Sequence, residues 1–579
     1  MENIEIAEAL GRVADLLEIQ DANPFRVRAY RNAVRTIASH AVPLRKLVSE
    51  GADLTELPAI GKEMASHIEE LVKTGKLGVL DELSRDVPAS LIELMRLPGV
   101  GAKKARKLWR ELGIETIEAL EAEARAGRVA ALGGFGEKTQ SRILEAIETY
   151  RKHTGRLLLV EAEQLIAPLL EHMRETALER LEVAGSYRRR CETIGDIDLL
   201  AVSEEPERTM EWLKSYPAVS RVLVSGETKT SVVLRSGLQV DLRVVPLESF
   251  GAAFIYFTGS KEHGIRLRQR ALDRGLSLSE YALSHHASPD EPGQAVAGDR
   301  EEAVYAALDL PWIAPELRED RGEIEAAERG ELPELIRLED LRGDLQMHST
   351  WSDGQNTIEE MLEACAERGY EYFALTDHSK ALAMTGGLDA DKLRLQWEEI
   401  ERIATRHPEI RLLRSMEVDV LQDGSLDLED ELLEALDVVV VSVHSHFRLP
   451  AEQQTERILA AIRHPEVNIL AHPTGRLINR REPMAYDLDA VLRVAAECGV
   501  AVELNAQPTR LDLRDTQLMR ARELGVKVVI STDAHRAREL DLMRWGVEQA
   551  RRAWLTSGDV LNALPLQGLV AALGRRRGR

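Results

Sequence analysis

GSYRRRCETIGDIDLL, residues 185–200, decides how this chain is to be read. On an extended strand, residues two apart share a side. Asp196 and Asp198 therefore face one way, while Ile197, Leu199 and Ala201 face a core. LQVDLRVV (238–245) repeats the alternation, with Asp241 and Arg243 on one face and Val240, Leu242 and Val244 on the other. Three carboxylates on neighbouring strands can hold two divalent cations roughly 3.5–4 Å apart, an arrangement suited to nucleotidyl transfer. Gly185-Ser186 at the start of a turn, with Arg188 to Arg190, offers a backbone and guanidinium cradle for phosphates. A lone Asp-x-Asp is common, and a solvated surface turn would explain it. The upstream Gly-Ser, the third Asp in an apolar strand and YFTGS (256–260) beyond it favour a site.

Around this stretch the texture is of short alternating segments. A helix over 160–175 leads to LERLEVAGS, DIDLLAVS, SRVLVSG, KTSVVLRSG and LQVDLRVVP, which read as a mostly antiparallel sheet. Residues 250–312 mix helix and turn, with PDEPGQAVAGDRE (289–301) as a loop. Residues 315–342 are strongly charged without apolar rhythm and read as a linker.

Upstream, residues 1 to about 150 carry apolar residues at helical spacing. A turn pattern recurs at LPAIGKEMA (57–65), LPGVGAKKA (97–105) and GGFGEKT (133–139). Glycine permits a tight turn, after which the next helix starts with free N–H groups aimed outward. A phosphate can sit at Gly61, at Gly99 and Gly101, or at Gly134 and Gly136, helped by Lys62, Lys103 or Lys104. One copy would pass for an ordinary helix–helix turn; three copies point to DNA backbone binding.

Downstream, seven apolar runs read DLQMHS, FALTDHS, LLRSMEVD, VVVVSVHSH, VNILAHP, VAVELNA and VKVVISTDAH. His348, His378, Glu417, His444, His472, Asp533 and His535 lie at or just after run ends. A ring of parallel strands gathers such ends at one mouth. Imidazole and carboxylate donors suit zinc, manganese or iron. Any one of these histidines alone would be read as structural; together they point to a metal site. His446 and His407 lie off the pattern and read as surface residues.

The 579 residues allow roughly four domains. Apolar content of 44% suits a soluble protein, and no apolar stretch approaches the roughly 18 residues of a membrane span. The opening MENIEIAEALGRV reads as an acidic amphipathic helix and not as a secretion signal. Cys191, Cys365 and Cys498 are scattered, which points to a reducing cytoplasm. The net charge of −23 argues against binding nucleic acid by charge alone, but helix N-termini grip phosphate without basic side chains. The GRRRGR tail (574–579) reads as a solvated end.

On these motifs the whole chain resembles a bacterial family X DNA polymerase, a relative of the polymerase beta group, and its last part resembles a PHP phosphoesterase domain. The resemblance implies a multidomain α and α/β chain. Its parts would be a lyase-like helical DNA-binding domain (1–82), helix-hairpin-helix fingers (83–155), a mixed-sheet nucleotidyltransferase palm (156–247), a small thumb (248–314), the linker (315–342) and a distorted (β/α)7 PHP barrel (343–579). It implies that Asp196, Asp198 and Asp241 hold catalytic Mg²⁺ or Mn²⁺, with Asp241 nearest the primer hydroxyl. Gly185, Ser186 and Arg189 would bind the triphosphate, and Tyr256, Phe257 and Gly259 would pack on the sugar. Arg243 would switch between Asp198 and Glu280. In the barrel, up to three Mn²⁺ or Zn²⁺ ions would use His348, Glu417 and Asp533; Glu417, His444 and His472; and Asp353, His378 and His535. DNA, gapped or primer-template, and dNTPs would be the partners, with repair of short gaps, 3′-5′ exonuclease or phosphatase action, no membrane, and a monomer.

There are departures from the family pattern. Gln346 stands where the PHP pattern opens with histidine, so one of the three sites should bind less tightly. Gly264 replaces an Asn that reaches the minor groove, which should weaken nucleotide affinity or discrimination. His67 replaces a Schiff-base lysine and Glu63 a supporting lysine, so no strong lyase is expected, although Lys62 is near enough for residual activity. Two other readings stand beside the main one: a nucleotidyltransferase with a non-DNA acceptor, and a DNA-structure binder whose barrel is only a scaffold.

Overall fold

A computed structural model of the chain describes residues 3–38, 44–49, 51–95, 97, 99–153, 156–285 and 293–574. All of the GRRRGR tail after Gly574 lies outside the described residues.

The first 150 residues are helical. Helix Asn3–Gln20 turns Ile6, Leu10, Val13 and Leu17 into one core with Tyr30, Ile37 and Ile68. The same helix gives Leu16 and Ile19 to a second core built on Leu94, Leu108, Leu120 and Ile147. Heptad-like spacing on two faces of one helix thus ties the hairpin units together.

Five strands form the next sheet: β1 Arg180–Val183, β2 Asp196–Val202, β3 Val219–Ser225, β4 Lys229–Leu234 and β5 Gln239–Val244. The order is β1-β2-β5-β4-β3, antiparallel except where β2 runs parallel to β5. Ile197, Leu199, Val240 and Leu242 pack under helices Leu159–Arg174 and Pro206–Lys214. Leu200 and Val202 are buried on the opposite face, where helix Phe250–Thr258 supplies Phe250, Ala253 and Phe254.

Beyond the sheet, helices Phe250–Thr258, Lys261–Asp273 and Glu301–Ala307 enclose a three-stranded sheet of 276–278, 283–285 and 295–297. The stretch 289–301 is therefore not all loop: Ala295–Ala297 is an edge strand. The charged stretch 315–342 connects thumb and barrel, but it is folded. Helix Glu323–Arg329 buries Ile324, Ala326 and Ala327 in the thumb core, and Arg318 is fully buried. Two of its charged groups meet buried partners, Arg318 with Glu301 at 2.8 Å and Glu323 with the His263 ring at 2.6 Å.

Seven parallel strands close the C-terminal barrel: β6 Gly343–Met347, β7 Tyr372–Leu375, β8 Arg411–Asp419, β9 Val438–Ser442, β10 Ile469–Leu470, β11 Ala501–Asn505 and β12 Val528–Ser531. The seam between β6 and β12 is held by His348 N–H to Ala534 O at 2.8 Å and Asp533 N–H to Gln346 O at 3.0 Å. Leu345, Tyr372, Ala374, Leu413, Val440, Ile469 and Val529 fill a core capped by Leu569 of the last helix. Their neighbours Met347, Phe373, Met416, Val441 and Val528 pack in a second core with the surrounding helices. Both faces of the strands are largely apolar, as parallel strands require, with buried polar residues such as Gln346, Glu417 and Glu503 set among them.

Candidate functional site

The single parallel pairing of the palm sheet sets the first site. It puts Asp198 beside Asp241 in register and Asp196 beside Gln239. Burial pushes the Asp198 carboxyl up to about 6, and the charges of Asp196 and Asp241 push it further than Arg243 and Lys229 pull it down. Asp241 is held below its ordinary range: burial raises it, but Gln239, Ser231 and Lys229 outweigh burial. Gln239 Nε2 donates to Asp241 at 2.9 Å and Lys229 Nζ lies 3.2 Å away. Three acids drawn together with one reluctant to ionise fit a divalent-cation site. Gly185 has φ +65°, and a Cβ there would meet Asp198 Oδ2 at 2.5 Å, so only glycine lets the turn abut the carboxylates. Ser186 is half-buried beside it.

The three arginines expected to form a phosphate cradle at 188–190 all meet carboxylates of other segments. Arg188 grips Glu301 through both nitrogens at 2.7 and 2.8 Å and lies over Phe254. Arg190 faces Glu163 and Glu548. Glu301 is buried and Glu163 and Glu548 are half-buried, and all three come from distant segments, which no local reading could foresee. Arg189 donates to Glu319 at 3.0 Å and to the Thr258 carbonyl. It lies beside the Gly259 turn, where a Cβ would sit 3.1 Å from its Nη1. Tyr256 is 44% exposed, and Phe257 sits edge-on to it with centroids 5.0 Å apart. Arg243 stacks over Phe257 at 4.3 Å and bonds neither Asp198 nor Glu280; its Nε is buried without a partner.

At the hairpins, Gly61 and Gly101 are the N-caps of helices Lys62–Thr74 and Ala102–Leu112, with no side-chain cap. Their first N–H groups are therefore free of the usual cap. Gly99, Gly134 and Gly136 have positive φ. Lys62 and Lys103 are exposed, but Lys104 donates to Gly99 O at 2.8 Å and so closes the hairpin itself. His67 meets Tyr30 Oη at 3.2 Å, and Glu63 is exposed.

The barrel mouth gathers every strand-end residue singled out in the sequence. Three groups have donor atoms all within 4.8 Å of one another: His348, Glu417 and Asp533; His378, Glu417 and His444; and His348, Asp353, His378 and His535. The second group differs from the expected one. His378 joins Glu417 and His444 there, and His472, the third member expected, meets the same Glu417 Oε1 as His444, at 2.9 Å. The reason is that Glu417 sits at the hub, with Oε1 toward His444 and His472 and Oε2 toward His348 and His378. His378 Nδ1 is 3.1 Å from Glu417 Oε2 but poorly aligned, and both atoms lack a hydrogen bond. Burial takes His378 down to about 4, Glu417 opposing. Burial also lowers His444, but Glu417 and Asp419 outweigh it and raise the imidazole to about 10. Buried imidazoles and carboxylates with unpaired atoms fit divalent cations. Gln346 is buried at 1% exposure, and neither of its amide atoms has a partner. His446 is exposed, whereas His407 is half-buried and paired with Glu409 at 3.1 Å.

Several acids behind the ligands escaped the sequence reading. Asp377 accepts from Ser349 and Ser352, Glu503 accepts from His472 N–H and Ser531, and Asp419 lies 3.6 Å from His444. The signal was available: a carboxylate inside an apolar strand end must meet a partner or a cation.

A two-metal-type palm joined to a ligand-lined parallel barrel defines a nucleotidyltransferase fused to a PHP domain. Residues 1–77 match the family described as helix-hairpin-helix domain, and 91–149 match the SAM-like helix-hairpin-helix tandem. Residues 253–319 match the DNA polymerase beta thumb, and 344–507 the PHP domain. DNA polymerase/3'-5' exonuclease PolX of Bacillus subtilis is 39% identical over 99% of this chain and all of its own length. DNA polymerase lambda of Rattus norvegicus is 26% identical over 55% of this chain and 56% of its own. A "probable phosphatase" of Thermoanaerobacter is 26% identical over 36% of this chain and 84% of its own. The chain belongs to the PolX family of DNA polymerases with a C-terminal PHP domain.

Proposed function

We propose that the chain is a DNA-directed DNA polymerase that fills short gaps in repair, and that its barrel is a metal-dependent 3′-5′ exonuclease or phosphoesterase. The observation that carries the reading is the parallel register of Asp198 against Asp241, with Asp196 two residues along the same strand on the same face. Asp196, Asp198 and Asp241 would hold Mg²⁺ or Mn²⁺. Such ions lower the pKa of a primer hydroxyl and neutralise the leaving pyrophosphate. Gly185, Ser186 and Arg189 bind the triphosphate of a dNTP, and Tyr256, Phe257 and Gly259 pack on its sugar. Gly61, Lys62, Gly99, Gly101, Lys103, Gly134 and Gly136 hold backbone phosphates of gapped or primer-template DNA. In the barrel, His348, Asp353, His378, Glu417, His444, His472, Asp533 and His535 would hold up to three Mn²⁺ or Zn²⁺ ions, with Gln346 weakening one site. Activation of water for attack on phosphorus is the chemistry these ions supply. The enzyme acts as a monomer, and His67 leaves it without a strong lyase. The test is Asp196→Ala combined with Asp198→Ala on a one-nucleotide gap. Incorporation should vanish while nucleotides are still released from 3′ ends; retained incorporation refutes the palm site.

A further inference from the structure

The nucleotide loop of the palm is clamped by the barrel. Arg552, on the barrel helix Met543–Arg552, donates from Nη1 to the Arg189 carbonyl at 2.6 Å and to Glu319 Oε1 at 2.9 Å. The same Glu319 oxygen accepts from Arg189 Nε at 3.0 Å. Arg552 Nη2 reaches Asp515 at 2.8 Å, and Asp515 also holds Arg321 of the connector at 3.0 Å. Arg552 is only 5% exposed. Burial raises the Glu319 carboxyl, but Arg552 and Arg189 outweigh it and keep it ionised. At the other end of the loop, Glu192 is forked by Arg476 at 2.7 and 3.2 Å. Leu511 and Trp545 of the barrel complete the palm core.

A clamp that touches both the main chain and the guanidinium of one residue fixes where that guanidinium points. We propose that Arg552 and Glu319 are positioning residues for nucleotide addition, holding Arg189 in its triphosphate-binding pose, so that the barrel shapes the palm's nucleotide site. This rests on the reading of Arg189 as a triphosphate ligand.

The test uses the full chain in single-nucleotide gap filling, with KM for dNTP and kcat measured separately for Glu319→Gln, Arg552→Lys, Arg189→Ala and the double variant Glu319→Gln/Arg189→Ala. Charge-assisted contacts of this kind predict a KM rise of about tenfold in Glu319→Gln and Arg552→Lys, with kcat within about threefold. The double variant should be no worse than Arg189→Ala alone, because both act through one guanidinium. Release of nucleotides by the barrel should not change. If Arg189→Ala raises KM while Glu319→Gln leaves it alone, or if the double variant shows the full product of the two effects, the proposal is overturned. Equal loss in KM and kcat for Glu319→Gln would mean a merely structural role and overturns it too. If Arg189→Ala itself leaves KM unchanged, the reading of Arg189 fails first and takes the proposal with it. Should Arg552→Lys not fold, Glu319→Gln decides alone.

Discussion

Gly101 caps a helix at φ −83°, with nothing within 4 Å of the Cβ it lacks. Neither backbone strain nor internal packing requires glycine there, and the open cap leaves room for the phosphate contact proposed above. Gly101→Ala should leave the melting temperature unchanged within a degree or so, yet weaken binding to gapped DNA by about tenfold, read by fluorescence anisotropy. Undiminished affinity would remove that hairpin from the DNA contact. Gly264 also has open space around its missing Cβ, so Gly264→Asn can be built without displacing a neighbour. The expected outcome is a lower KM for the matched dNTP and better discrimination against mismatches in single-turnover assays. At the barrel, Gln346→His should raise both bound metal, measured by elemental analysis, and 3′ nucleotide release. No change in either would remove position 346 from the ligand set. The carboxylates at 196, 198 and 241 were legible because period-two alternation is a local property. The roles of Arg188 and Arg190 were not, since Glu301 and Glu548 come from remote segments.

Among the elements, the charged connector is the clearest case of structure hidden from the sequence. Glu301, at the start of helix Glu301–Ala307, receives Arg188 and Arg318 and is only 6% exposed. Burial would raise its carboxyl, but Arg318 and Arg188 drive it far below the ordinary carboxylate range. A depressed folded pKa means that the stabilisation is present above the unfolded value of about 4.3 and fades as pH falls below it. Breaking such a buried pair costs about 3–5 kcal/mol. Glu301→Gln should therefore lower the melting temperature at pH 7 and show a shallower further decline between about pH 5 and 3 than the unaltered chain. Parallel pH curves for the two proteins would show that Glu301 carries none of the acid sensitivity.

Across the whole molecule, the net charge is −23 and the hairpins expose few lysines, which bears on how DNA would be held under the proposed function. If backbone amides do most of the gripping, few counterions are released. The log–log dependence of affinity on salt should then have a slope no steeper than about −4, and a slope beyond about −7 would mean a basic surface does the work. The barrel and palm are joined through Arg476, Arg552, Leu511 and Trp545, so excising the barrel would expose palm core as well as remove a second site. The sequence by itself determined the modules, the faces of the strands, the three hairpins and the donor types at the barrel mouth. All of these follow from spacing along one chain, where side-chain direction repeats every two residues in strands and every three or four in helices. Only the tertiary structure decided that Glu417 is the hub of the mouth, that a charged stretch is folded core, and that barrel residues hold the turn at 185–192. Those are meetings between residues far apart in sequence, and their energies depend on burial and partner geometry that exist only once the chain has closed on itself.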